Sequence, residues 1–188
     1  MSWLEAIVLG IVQGITEFLP ISSTAHLRFV PALLGWDDPG AAFTAITQVG
    51  TIAAVVVYFR RDLARIASAW LGSLGRPLRE LPFEARLGWF IVIGTIPLVV
   101  AGAIFAGDVE TGARNLRVLA WAMIGLAILL LVAELTARHV RPLRSLRLPD
   151  AIVIGLAQVA ALVPGASRSG VTLTAGLFVG LRREAAAR

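Results

Sequence analysis

The stretch EFLPISSTAH, residues 17–26, places a carboxylate, a proline, three hydroxyls and an imidazole inside an otherwise apolar N-terminal region. Gln13 and Glu17 are four residues apart, so on a helix they share a face. A carboxylate at bilayer depth is costly and is usually functional or paired; an interfacial glutamate reaching water is the plainer alternative. Ser22, Ser23 and Thr24 follow Pro20, where a new half-helix would start. One such hydroxyl is expected to cap the helix, and the free N–H groups there also form a natural anion site. His26 lies four residues after Ser22 and three after Ser23, so a helical turn sets its imidazole beside either hydroxyl. That arrangement suits an activated serine or a general acid acting on a leaving group. A structural hydrogen-bonder is the other reading of a membrane histidine.

A second polar segment, PGASRSGVT at residues 164–172, changes the weight of the first. It is a glycine-flanked turn, with Gly165, Ser167, Arg168, Ser169 and Thr172. Arg168 falls in the middle of a broken apolar region, where an unpaired guanidinium is expensive. Its rigid fork matches phosphate oxygens. An Arg168–Glu17 ion pair could brace the empty site, and a phosphate could then replace the carboxylate as partner. Elsewhere, His139 sits among arginines in a basic loop and is expected to face solvent. Gln48 and Gln158, within apolar runs, are expected to form inter-helix hydrogen bonds.

The elements that must position these groups are membrane helices. Of the 188 residues, 57% are hydrophobic, and the mean hydropathy is +0.82. Soluble domains hold nearer ~45–50% apolar residues. There is no cysteine, which excludes disulfides and thiolate metal sites. The N-terminus lacks a basic region and carries Glu5, which argues against a cleaved signal peptide. The formal charge of +5 comes from arginines in short loops, as the positive-inside rule expects, and nucleic-acid binding is rejected.

Three runs, 41–59, 87–107 and 116–135, are each near the ~20 residues a bilayer core requires. Two further apolar regions are interrupted, 3–30 at Pro20 and 151–181 at Pro164-Gly165, and proline should split each into two half-helices. Arginines at 60, 61, 65, 76, 79 and 86, and again at 138, 141, 144 and 147, put those two loops on the cytoplasmic side. Asp37, Asp38, Asp108 and Glu110 then lie outside. The parity closes if the first broken region enters and leaves from outside, and the second from inside. AIVLGIVQ (6–13) matches AIVIGLAQ (151–158), and each copy is followed by a proline and a serine-rich turn. Three spans separate the copies, which makes them inverted. The expected fold is therefore an all-α polytopic membrane protein: an inverted-topology repeat whose two re-entrant broken-helix hairpins meet near the midplane. A single integral membrane domain covers 1–188, with a first repeat at 1–150 and the start of a second at 151–188. On that symmetry about three further spans are missing, and weak stability is expected of this form.

Both polar segments resemble the two signature regions of the undecaprenyl pyrophosphate phosphatases, the bacitracin-resistance family. QGITEFLPISSTAH and PGASRSGVT occur in the family's order, and the resemblance covers the whole chain. It implies hydrolysis of undecaprenyl diphosphate to the monophosphate and inorganic phosphate, recycling the lipid carrier of peptidoglycan synthesis. The family's glutamate motif falls on Gln13 and Glu17, its serine and histidine on Ser23 and His26, and its arginine motif on Ser167, Arg168, Ser169 and Thr172. The catalytic set would be Glu17, Ser23, His26 and Arg168. Gln13, Ser22, Thr24, Gly165, Ser167, Ser169 and Thr172 would bind substrate. A divalent cation, Mg2+ or Ca2+, is implied, with Glu17 as its protein ligand; Gln13 stands where some members carry a second glutamate. Serine and water both remain as nucleophile. The implied setting is the bacterial inner membrane, crossed several times, with the site open to the periplasmic side. Undecaprenyl diphosphate and the bilayer are the partners, and a homodimer is left open. An anion transporter or flippase shares the broken-helix design but gains nothing from a serine beside a histidine. The lipid phosphatases with a histidine nucleophile need a later His–Asp pair, which this chain lacks.

Overall fold

The computed structural model describes residues 1–105 and 116–187, and these are helical apart from turns and an isolated bridge between Arg141 and Leu181. The helices are α1 (Trp3–Thr16), α2 (Ser23–Leu34), α3 (Gly40–Leu71), α4 (Phe83–Ile104), α5 (Leu116–Thr136), α6 (Leu148–Gln158), α7 (Arg168–Phe178) and the short α8 (Arg183–Ala186). Among them α3, α4 and α5 are long and apolar enough to cross a membrane. Their outward faces carry large exposed apolar side chains such as Ile52, Val56, Val99, Leu129 and Leu131, which is the pattern lipid contact requires. Asp108, Glu110 and the end of the run predicted over 87–107 lie outside the described residues.

Both expected interruptions are present. The first region breaks between Thr16 and Ser23 around Pro20, and the second between Gln158 and Arg168 around Pro164-Gly165. Each stop has a local cause. Pro20 has no N–H to donate and its ring clashes with the preceding turn. At the second break the chain tightens into a 3₁₀ turn, Val159–Leu162, and then reverses at Gly165. Gly165 has φ of +93°, and a Cβ there would lie 2.7 Å from the Leu119 carbonyl oxygen. Only glycine satisfies both conditions without strain.

Two boundaries differ from expectation. The first span does not stop at residue 59, because α3 runs on through Arg60 and Arg61 to Leu71. Alanine, arginine and leucine dominate this extension and are strong helix formers, so the helix outlasts its apolar section. In the second region α7 ends at Phe178 rather than at 181.

Packing surrounds the two interrupted helices with the spans. α3 lies against α1 and α4, α4 against α6, and α5 against α7. The α4–α6 approach is close: a Cβ on Gly155 would sit 2.5 Å from the Gly94 carbonyl oxygen. A cluster of Phe90, Leu146, Ala151 and Leu181 seals the end of the molecule next to the basic loops. There Arg141 binds Asp150 in a bidentate pair at 2.5 and 3.1 Å and donates to the Val179 and Ser145 carbonyls at 2.7 and 2.9 Å. Burial pushes the Asp150 carboxyl upward, but the Arg141 guanidinium and the Arg147 N–H outweigh it and hold the group below the usual carboxylate range. His139 is not the solvent-facing residue expected: its side chain is 16% exposed, with Nε2 4.0 Å from a Glu134 oxygen.

Candidate active site

The two breaks meet. Ser169 Oγ in the second donates to the Leu19 carbonyl in the first, at 3.2 Å and across 150 residues of sequence. Gly170 leaves room for Pro20, whose Cβ would stand 3.4 Å from any Cβ placed there. Between the breaks lies a cleft of about 90 Å³, lined by Glu17, Ser22, Ser23, Thr24, Gln48, Ala161, Ala166, Ser167, Arg168 and Ser169. That is room for several waters or a small polar group. Its wall is largely polar, which is costly inside a bilayer unless a polar occupant balances it.

From the first break, Glu17 follows α1 as its C-cap, and its N–H still bonds to the Gln13 carbonyl at 3.0 Å. Its Oε2 accepts two hydrogen bonds, from Gln13 Nε2 at 2.9 Å and from Ser23 Oγ at 2.6 Å. The second is at the short end for a hydroxyl donating to a carboxylate. Gln13 is 1% exposed, and its Oε1 has no hydrogen-bond partner among the described residues. Ser22 caps α2, its Oγ accepting from the Ala25 N–H at 3.4 Å. It does so with φ of +65°, a left-handed conformation that costs a serine ~1–3 kcal/mol.

His26 does not stand where spacing alone put it. Its Nδ1 lies 2.9 Å from the Ser22 carbonyl oxygen. A carbonyl only accepts, so Nδ1 carries the proton and Nε2 is left as the free ring nitrogen. Among the described residues no hydrogen bond joins His26 to either hydroxyl. Ser23 bonds to Glu17 instead, and Ser22, with its left-handed backbone, serves as the N-cap of α2.

From the second break, Ser167 caps α7 by accepting from the Gly170 N–H at 3.2 Å, and it shares a 2.9 Å bond with Ser169. Arg168 opens α7 and lines the cleft. The Arg168–Glu17 ion pair is not formed, and the Arg168 guanidinium makes no hydrogen bond among the described residues. Gly165, Thr172, Gln13 and His26 support the cleft rather than line it. The Thr172 hydroxyl bonds back to the carbonyls of Arg168 and Ser169 at 3.0 and 3.2 Å. Gln48 is the site residue that sequence reasoning misassigned: it lines the cleft from α3, and its side chain makes no inter-helix hydrogen bond among the described residues. Its amide character in a run of apolar positions was the available signal.

Among the described residues Glu17 is the only carboxylate on the cleft, and no cluster of three or more His, Asp or Glu side chains gathers there. The donor set nevertheless fits a hard divalent ion held with a phosphate. Glu17 Oε1 takes neither hydrogen bond, Gln13 Oε1 is an unpartnered acceptor, and Mg2+ typically uses one or two carboxylates together with phosphate oxygens and water.

Comparison with known proteins places these observations. A family model described as bacitracin resistance protein BacA matches residues 6–188. The chain is 55% identical over 197 residues to an undecaprenyl-diphosphatase of Chlorobaculum tepidum, covering all of this chain and 69% of that protein. It is 54% identical over 188 residues to one of Myxococcus xanthus, covering all of this chain and 63% of that protein. A protein of Streptomyces coelicolor named undecaprenyl-diphosphatase 2 is 49% identical over 201 residues, with the same full coverage of this chain and 69% of its own length.

Proposed function

The chain belongs to the BacA family of bacitracin resistance proteins, and from that premise we propose that it hydrolyses undecaprenyl diphosphate to undecaprenyl phosphate and inorganic phosphate. The observation that carries the reading is the 2.6 Å bond from Ser23 to Glu17 in a cleft that also presents Arg168. A hydroxyl on a carboxylate, facing an unpaired guanidinium across a polar gap, is a phosphoryl-transfer arrangement.

In this mechanism the diphosphate enters the cleft with its prenyl chain left in lipid. Arg168, the hydroxyls of Thr24 and Ser169 and the free N–H groups at the starts of α2 and α7 neutralise its charge. Ser23 Oγ attacks the terminal phosphorus as its proton passes to Glu17 Oε2. The bond from that phosphorus to the bridging oxygen breaks, and undecaprenyl phosphate leaves. Water then cleaves the phosphoserine, releasing phosphate and returning the hydroxyl. His26 acts as a positioning residue, since its Nδ1–H holds the Ser22 carbonyl and with it the turn that aims Ser23. A divalent cation, Mg2+ or Ca2+, would be held by Glu17 Oε1, Gln13 Oε1 and the diphosphate oxygens, and would supply further charge neutralisation at the phosphoryl group.

The finer architecture belongs to the same proposal. The interrupted helices are two re-entrant hairpins of an inverted repeat, with residues 1–150 as the first copy and 151–188 beginning the second. The repeated octapeptides and the meeting of the two breaks support this. The arginine-rich loops then face the cytoplasm, and the cleft of an inner-membrane protein opens outward. A transporter would use similar broken helices, but it has no use for the serine–carboxylate bond.

The deciding assay is phosphate release from undecaprenyl diphosphate in detergent, with Mg2+ and then with chelator. Release should depend on the metal and fall by roughly 10²–10³ in Arg168→Ala, the loss typical of removing one donor to a developing oxyanion. A chain that binds the diphosphate without releasing phosphate would overturn the proposal.

A further inference from the structure

The cleft has a third wall that neither polar segment supplies. Gln48, in the first half of α3, lines it together with residues of both breaks. The first turns of α3 also carry Thr44, Thr47 and Thr51, and each of their hydroxyls bonds to a carbonyl of its own helix, at 3.1, 3.1 and 2.8 Å. Those hydroxyls are satisfied locally. The Gln48 carbonyl is used as well, as the acceptor for Thr51. Its side-chain amide has no such option and makes no hydrogen bond among the described residues. A half-buried amide without a hydrogen-bond partner on a largely apolar span is a cost, and Gln48 lines the polar cleft.

The chemistry of the other walls shows what it could add. Ionised Glu17 only accepts, and Arg168 only donates. Ala161 and Ala166 offer no polar side chain. Gln48 brings a neutral donor and acceptor from α3, an element outside the two turns. We propose that Gln48 is a substrate-contact residue whose amide N–H donates to a phosphate oxygen of the lipid diphosphate, fixing its orientation between Ser23 and Arg168. This rests on the phosphatase reading and extends it from two elements to three. A neutral amide makes this contact without adding a charge that the empty, membrane-embedded site would have to balance.

The test is Gln48→Met, which keeps the length of the side chain, removes both hydrogen-bonding groups and suits an apolar span. KM for undecaprenyl diphosphate should rise about 10-fold with kcat within about threefold, the signature of lost binding that is uniform between ground and transition states. Gln48→Glu, which sets a negative charge against the diphosphate, should be worse than Gln48→Met. Thermal stability of Gln48→Met in detergent should be unchanged or higher. A lower melting temperature with an unaltered KM would make Gln48 a structural residue and overturn the proposal. If the unsubstituted chain releases no phosphate, the phosphatase reading is what fails. Gln48 is then judged by calorimetric titration with inorganic pyrophosphate: binding about 10-fold weaker in Gln48→Met sustains the contact, and equal binding refutes it.

Discussion

Ser23 and Glu17 form the pair to which the proposed mechanism assigns the phosphoryl-transfer step. A hydroxyl donating to a carboxylate at 2.6 Å is a charge-assisted bond, which typically contributes ~1.5–3 kcal/mol. The bond ties the turn between α1 and α2, and in the proposed mechanism it also aligns the proton for transfer. Glu17→Gln keeps the shape and removes the base, so phosphate release should fall by roughly 10²–10⁴ with little change in melting temperature. Adding Ser23→Ala to that variant should cost little more, because residues that act as a unit are non-additive. Rate measurements on the two single variants and the double variant check this; fully additive losses would show that the two side chains act separately. Gln13 sits beneath them as a buried amide whose donor steadies Glu17 and whose acceptor stands free.

At the scale of elements, α6 seats closely against α4 through Gly155 and Gly94. The two copies of the repeated octapeptide give an internal control. In the second copy a Cβ on Gly155 would meet the Gly94 backbone at 2.5–2.9 Å, whereas in the first copy a Cβ on Gly10 would meet no other described atom beyond its own helix within 4 Å. Gly155→Ala must push two backbones apart, and overpacking of this kind typically costs ~1–3 kcal/mol. Gly10→Ala meets no clash in mid-helix and should gain ~0.5–1 kcal/mol from reduced backbone entropy in the unfolded chain. Thermal unfolding of the two variants in one detergent should therefore move in opposite directions. A shift of the same sign in both would show that the close α4–α6 contact does not decide stability. The Arg141–Asp150 pair steadies the far end of the same assembly, binding the α5–α6 loop to the end of α7 through the Val179 carbonyl.

At the scale of the whole molecule, the question is which side of the membrane each end of the interrupted helices faces. The absence of cysteine allows single cysteines to report it directly. Trp3→Cys and Asp37→Cys flank the first interrupted helix, and Arg76→Cys marks the basic loop; all three positions are exposed. With a membrane-impermeant maleimide on intact cells, the first two should react and the third should react only after permeabilisation. Labelling of Asp37→Cys but not of Trp3→Cys would mean that α1 and α2 together cross the bilayer once, and the re-entrant reading would fall.

Much of this protein follows from local signals whose penalties act on any chain. A bilayer penalises polar groups, and proline disfavours a continuing helix, most of all beside polar or glycine residues. Three spans, two interruptions around Pro20 and Pro164 and the odd polar residues among them were therefore legible in order, although Pro31 and Pro97 are held inside α2 and α4. The two polar segments likewise carry enough specific residues to mark the family. Contacts between elements far apart in sequence are different. Spacing placed His26 beside Ser23, but the fold gives the Ser23 hydroxyl to Glu17 and the His26 Nδ1 to the Ser22 carbonyl. Charge suggested a Glu17–Arg168 pair, yet helix packing holds the two on the cleft without contact. Gln48 read as an ordinary inter-helix glutamine until the seating of α3 against α1 put it on the cleft wall. Such pairings depend on turn dihedrals and on the registry of packed helices, which are set by the sum of many weak contacts across the molecule and leave no short-range mark in the sequence.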